Sequence, residues 1–257
     1  MAFVTARNLS VGYHRPLIEE ISLDCERGQL WGFLGANGAG KSTLLRVLTG
    51  LLPPLSGTVL IDGIPLGSIR PSRMARLAAF AQTARPSDGR LTVEELVSVG
   101  RSPHTGWFGT LSAEDKRRAA GEIERFGLGD LAHRQISSLS DGEAARASAA
   151  RAFCQDTPLV LMDEPLAFLD PPRKVELMAL LSRRAHEEHT CIIVTLHDIE
   201  LALRWCDGLI LVSQGRARQG TPRQIAASGV LSTLYPDSSR DFDEYLSEIT
   251  SRVFAGK

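Results

Sequence analysis

The sequence predicts an α/β protein with a mostly parallel sheet, an N-terminal antiparallel β subdomain and an inserted α-helical subdomain. Three observations predict it. After Pro158, apolar strand-like runs at 159–162, Cys191–Leu196 and 208–212 alternate with helix-like runs at 173–189 and Ile199–Trp205, the βα order of a parallel sheet. The first sixty residues instead hold period-2 segments separated by turn signals, at 3–11, 21–25 and 58–62, and these read as antiparallel strands. From about residue 84 to 156 only helical patterns occur, so this block interrupts the alternating core.

Taken in chain order, the apolar run Leu30-Trp31-Gly32-Phe33-Leu34 reads as a buried strand that leads straight into a glycine-rich loop. The spacing of Leu44, Leu45, Val47 and Leu48 then predicts a helix. Within the helical block, Leu91-Thr92-Val93-Glu94-Glu95-Leu96-Val97 opens one helix, and Ser112-Ala113-Glu114-Asp115 is a capping-box start for a second. An alanine-rich third helix runs over 142–153. After Pro222 a further helix and an acidic tail over 237–248 follow. The organisation is therefore one domain over 1–230 with its insert at about 84–156, and a C-terminal helical tail over 231–257.

Composition narrows the function. The 257 residues carry 29 basic and 30 acidic side chains, a net charge of −1, which excludes the bulk electrostatics of a nucleic-acid coating protein. With 43% apolar and 23% charged residues the chain has enough apolar surface for a sizeable core. No run approaches the roughly 18 apolar residues of a membrane-spanning helix. The first residues lack a basic segment followed by a long apolar run, so a cytosolic location is expected. Cys25, Cys154, Cys191 and Cys206 are far apart in apolar surroundings, a pattern of reduced core residues rather than of a zinc site or a disulfide framework.

Gly35-Ala36-Asn37-Gly38-Ala39-Gly40-Lys41-Ser42-Thr43 fits the phosphate-binding P-loop pattern, and it has the strand before it and the helix after it that the pattern requires. This identifies a P-loop NTPase core. The glycines allow backbone N–H groups to turn inward as an anion nest at a helix N-terminus, where the helix dipole also favours phosphate. Lys41 would reach the β- and γ-phosphates, and Ser42 would offer an oxygen to Mg²⁺. A second constellation is Leu159-Val160-Leu161-Met162-Asp163-Glu164-Pro165, in which two carboxylates end a buried parallel strand where α/β sheets bind ligands. Asp163 is placed to hold hydrated Mg²⁺, and Glu164 to accept a proton from an attacking water.

With these motifs present, Leu139-Ser140-Asp141-Gly142-Glu143 resembles the signature loop of the ATP-binding cassette of ABC transporters; Gly142 lies 21 residues before Asp163, as in that family. The resemblance covers about residues 3–225. It implies that Tyr13, 28 residues before Lys41, stacks on adenine, and that Gln82, 41 residues after Lys41, is the Q-loop glutamine that contacts Mg²⁺ and the attacking water. It also implies that His197 in Thr195-Leu196-His197-Asp198 is the switch histidine at the γ-phosphate, and that Asp170 in Ala167-Phe168-Leu169-Asp170 is the D-loop aspartate facing the opposite subunit. In the family the signature serves the ATP bound to the other subunit, so the resemblance implies a homodimer closing on two ATP molecules. Ser140 and the backbone at Gly142 would then supply the second helix N-terminus for the γ-phosphate.

Three departures stand out. Asp141 and Glu143 replace the usual glycine and glutamine, placing two carboxylates beside a phosphate-binding loop, where they repel phosphate unless they turn away or meet a cation. Alanines at 144, 145, 147, 149 and 150 stand in a stretch that commonly carries Arg and Gln. Ala36 replaces a frequent proline, a harmless change. With no membrane segment of its own, the chain requires a separate permease subunit, as in bacterial importers. The stretch Val99-Gly100-Arg101-Ser102-Pro103-His104-Thr105-Gly106-Trp107 resembles the helical lobe of the subfamily that takes up iron–siderophores, haem and cobalamin. This implies peripheral attachment to the cytoplasmic face through the permease, an indirect partnership with a periplasmic or lipoprotein binding protein, and no nucleic-acid partner. The alternative is a soluble ABC ATPase of an assembly system; neighbouring reading frames that encode a permease and a binding protein distinguish the two.

Overall fold

A computed structural model of the chain describes residues 2–82, 90–106, 109–234 and 240–255. Strands β1 (Val4–Gly12) and β2 (Pro16–Cys25) pair antiparallel, followed by β3 (Leu30–Gly35), helix α1 (Lys41–Leu48), β4 (Ser56–Ile61) and the short β5 (Ile64–Pro65). Helix α2 (Pro71–Leu77) and strand β6 (Ala78–Gln82) precede the helices α3 (Val93–Val99), α4 (Ala113–Arg125) and α5 (Asp141–Cys154). The chain returns through β7 (Leu159–Asp163), α6 (Pro171–Glu188), β8 (Cys191–Leu196), α7 (Ile199–Trp205), β9 (Gly208–Ser213) and β10 (Arg216–Gly220). Helices α8 (Pro222–Ala227) and α9 (Arg240–Phe254) follow.

The ten strands form one sheet in the order β5-β4-β1-β2-β10-β9-β3-β8-β7-β6. From β9 to β6 every pairing is parallel, whereas β1, β2, β4 and β5 pair antiparallel, as the two sequence patterns predict. The halves meet at β10 and β2, where a single residue pair, Arg216 with Glu19, is in strand register. Strand β3 lies in the middle with all six residues buried. Its side chains alternate between two cores: Leu30 and Leu34 face one with α5, α6 and α7, while Trp31 and Phe33 face the other with α1 and the antiparallel strands. Burial on both faces explains its continuous apolar run. At Gly208 an added Cβ would stand 2.2 Å from the Trp31 ring, so only glycine lets that ring lie flat across β9.

The helical insert has its own logic. Thr92, Ser112 and Ser140 each accept a hydrogen bond from a backbone N–H three residues on, and Glu95, Asp115 and Glu143 reciprocate, so α3, α4 and α5 all start in capping boxes. Arg101 donates to Asp115 at 2.8 Å inside the insert, and the buried pair Arg184–Glu122 at 2.7 Å ties α4 to α6 of the core. Four elements carry no sequence expectation: β5, α2, β6 and the polar strand β10, which lies between β2 and β9. The expected helix over 142–153 begins one residue earlier, capped by Ser140, and the acidic stretch, where described, lies on α9, which buries Leu246 and Ile249 in the core. Trp107 and the start of the predicted insert at 84 lie outside the described residues. Among the described residues no helix is long and apolar enough to cross a membrane, and all four cysteines are free and buried.

Candidate functional site

The sheet's carboxyl edge carries the site. Gly35 ends β3, and the chain turns through Gly38 at φ 76° and Gly40 at φ 96° before α1 begins at Lys41. These left-handed conformations come without strain only to glycine. Around Gly38 an added Cβ would meet nothing within 4 Å, so glycine is required there by its backbone conformation and not by crowding. Lys41 is 5% exposed, and its Nζ donates to the Gly35 and Ala36 carbonyls at 2.8 and 2.9 Å. Burial pushes its ammonium below the usual lysine range, while Glu164 and Asp163 pull it back. The cation thus stands inside the loop, opposite the two acids.

A cleft of about 540 Å³ brings together Asn37, Gly38, Gly40, Lys41, Ser42 and Thr43 with Glu164 and His197. Ala39 is seated in the same turn, its N–H donating to the Ala36 carbonyl. Asp163 ends β7, and Glu164 follows with φ 54°, a backbone region costly for a non-glycine residue and common where a side chain must be aimed. His197 Nε2 lies 2.8 Å from Glu164 Oε1. Gln82 ends β6 in register with Asp163, and its carbonyl accepts a hydrogen bond from Ser148 of α5 at 3.0 Å. The edge of the core and the helical insert therefore touch through Gln82.

The remaining predicted residues lie away from this cleft. Tyr13 sits between β1 and β2, 54% exposed, with its hydroxyl accepting from Arg46 at 3.0 Å. Ser140, Gly142 and Asp170 form a second cluster. Asp170 caps α6, accepting from the Arg173 N–H, and a Cβ at Gly142 would press on Leu169 and the Phe168 carbonyl at 3.1 Å. Glu143 neither faces the solvent as a bare charge nor points along the helix axis: it accepts from the Ser140 N–H at 2.7 Å and the Ser140 hydroxyl at 2.8 Å. Those bonds, aided by Arg134 and Arg146, hold its carboxyl below the usual carboxylate range. The expected charge repulsion is thus turned, for Glu143, into a helix cap.

Thr195, quoted in the sequence only as part of the stretch before His197, had no role assigned to it. It is fully buried, donates to Asp163 Oδ1 at 2.8 Å and accepts from the Glu164 N–H at 2.7 Å. One signal was available: a lone hydroxyl in the otherwise apolar strand Cys191–Leu196.

The donor chemistry fits a nucleotide with Mg²⁺: an open glycine nest with a buried ammonium suits phosphate, and Ser42 and Asp163 supply the hard oxygens that Mg²⁺ prefers. Fold and site together define a P-loop nucleotide triphosphatase. The comparisons name the branch. The ABC transporter family profile matches residues 18–167, so the chain belongs to the ABC transporter family, as its ATP-binding, ATP-hydrolysing subunit. An ABC transporter ATP-binding protein of Methanocaldococcus jannaschii is 35% identical over 93% of this chain and 83% of its own length. The achromobactin transport ATP-binding protein of Dickeya dadantii is 34% identical over 91% and 88%, and the iron(3+)-hydroxamate import ATP-binding protein of Bacillus subtilis 32% over 91% and 88%. Among solved structures, a dimeric ATP-binding cassette in a post-hydrolysis state, bound to ADP and Pi, matches with a TM-score of 0.76 and 25% identity, over 86% of this chain and 99% of that one.

Proposed function

We propose that two copies of this chain hydrolyse ATP on the cytoplasmic face of a separate permease and so energise uptake of an iron(III) chelate. The observation that carries the ATPase half is the convergence of Lys41, Ser42, Glu164 and His197 on one cleft. The iron-chelate half is supported by relatives named for achromobactin transport and iron(3+)-hydroxamate import. The loop N–H groups and Lys41 bind the phosphates. Ser42, Asp163 and Gln82 would hold Mg²⁺, which when bound would supply charge neutralisation at the phosphoryl group. Glu164 takes the proton of the attacking water, and His197, with its proton on Nε2, fixes the Glu164 carboxylate by donating to Oε1. Tyr13 stacks on the base.

The placement of Ser140, Gly142 and Asp170 outside this cleft supports the dimer: a partner's signature must come to it. The unit is then 1–230 as the ATPase domain with 231–257 as its tail, and a periplasmic or lipoprotein binding protein delivers the chelate to the permease. The test uses Glu164→Gln with the permease that co-purifies from membranes. ATP turnover is expected to fall about 10²–10⁴-fold, with an ATP-dependent dimer accumulating and uptake of a ferric hydroxamate abolished. Normal turnover by the variant overturns the assignment of the base. Intact ferric-chelate uptake in a strain lacking this chain overturns the substrate.

A further inference from the structure

We propose that Thr195 is a positioning residue that sets the metal-side and the base-side carboxylate against each other through one buried hydroxyl. The inference rests on the ATPase reading above and deepens it. Strand β8 lies between β3, which leads into the phosphate loop, and β7, which ends in the acids: Phe33 is in register with Thr195 on one side, and Met162 with Val194 on the other. Thr195 thus stands beside Asp163, one step past the last paired residue of β7.

Packing alone does not call for threonine here. The strand reads Cys-Ile-Ile-Val-Thr-Leu and is buried throughout, and valine has nearly the same shape and the same preference for strands. Valine would leave a buried hydroxyl's two partners unmatched, which is why the exchange is not neutral. Both capacities of the hydroxyl are used: its proton goes to Asp163 Oδ1, and a lone pair accepts the Glu164 N–H. That N–H belongs to the residue whose φ of 54° would otherwise relax, so Thr195 helps to hold the backbone twist that aims Glu164 into the cleft. The Glu164 carboxylate is held from the same strand end by His197, two residues on. Glu164 is therefore fixed at its main chain and at its side chain by one strand, while Asp163 is oriented by the same hydroxyl.

The experiment compares wild type, Thr195→Val and Thr195→Ser as full-length chains. It measures fluorescent-ATP affinity with and without metal, Mn²⁺ affinity by electron paramagnetic resonance in the presence of nucleotide, and ATP turnover. For Thr195→Val the expected results are metal-free nucleotide affinity within twofold of wild type, Mn²⁺ affinity reduced about fivefold and kcat reduced tenfold or more with little change in KM. Thr195→Ser, which keeps the hydroxyl and loses a methyl, is expected to restore Mn²⁺ affinity and kcat to within threefold of wild type. Wild-type Mn²⁺ affinity and kcat in Thr195→Val overturn the proposal. So does a serine variant as impaired as the valine variant, which would assign the effect to packing, and this arm holds even where valine destabilises the fold. Absence of nucleotide binding by the wild-type chain would instead refute the ATPase reading itself.

Discussion

The phosphate-loop cleft and the signature cluster both stand at helix N-termini, and the two ends are built in opposite ways. At the cleft, α1 starts behind glycines that leave the nest open, and Lys41 and the acids stand around it. At the signature, α5 starts behind Ser140, whose hydroxyl and N–H both go to Glu143 of the same helix. The first is an open socket. The second is closed on itself, and under the proposed function it would exchange an internal carboxylate for a partner's phosphate. On that reading, one copy of the chain would carry a ready half-site and a guarded one, and nucleotide binding would then be a property of the monomer and closure a property of the pair.

The sharpest way to break this comparison is Lys41→Ala. Removing the buried ammonium from the open socket is expected to weaken nucleotide binding or hydrolysis at least about a hundredfold, read by equilibrium binding and by phosphate release. Ser140→Ala should separate the halves: nucleotide affinity of the monomer is expected within twofold of wild type. ATP-dependent dimerisation in the Glu164→Gln background should weaken roughly tenfold or more, since a hydrogen bond to a charged group contributes about 1.5–3 kcal/mol, as measured by analytical ultracentrifugation. An equal loss of monomer binding in the Ser140 variant would show that the two sites are not divided in this way.

Acid gives the smallest effect and addresses the scaffold. Hydrogen bonds from their capping residues hold the carboxyls of Glu95 and Glu143 below the usual 4.5, and those from Ser112 and Arg101 hold Asp115 well below its usual range. A carboxyl whose folded value is depressed stabilises the fold above its unfolded value, so this contribution is complete above about pH 4.5 and fades as pH falls through the folded values. Because all three boxes lie in the insert, amide protons of α3, α4 and α5 are expected to exchange faster than those of β3 and β8 as pH is lowered from 5 to 3, once intrinsic rates are corrected. Uniform exchange across both regions would place the acid sensitivity elsewhere.

The same contrast decides what a reader of the sequence could see. The cleft was legible because each part is written locally: glycines spaced for a nest, an apolar run cut by Asp163 and Glu164, and an apolar run ending at His197. The capping boxes were all locally written, since Ser112 and Asp115 and equally Ser140 and Glu143 stand three residues apart, but at Glu143 the neighbouring phosphate-binding pattern drew the reading to charge repulsion instead of to the cap. Strand β6 was missed because Ala78-Ala79-Phe80-Ala81-Gln82 has little β-branched character and is a strand only because β7 pairs with it. Thr195 was missed for the same reason at the scale of one atom: its partners lie more than thirty positions away. Long-range pairing, not local preference, wrote those features.

One seam in the sheet has a mechanical meaning. Where β10 meets β2, the ladder shrinks to one paired residue, and the Gln219 side-chain amide extends it by accepting the Asp24 N–H and donating to the Asp24 carbonyl. A side chain there does the work of a peptide unit. Compliance in a sheet concentrates where backbone ladder bonds are fewest, so along this line the sheet itself is sewn with a few stitches, and the core that packs α1 against β1 and β2 carries the rest of the join. Tyr13 and Lys41 stand on opposite sides of that line in the strand order, and the hydrogen bond from Arg46 of α1 to the Tyr13 hydroxyl spans it.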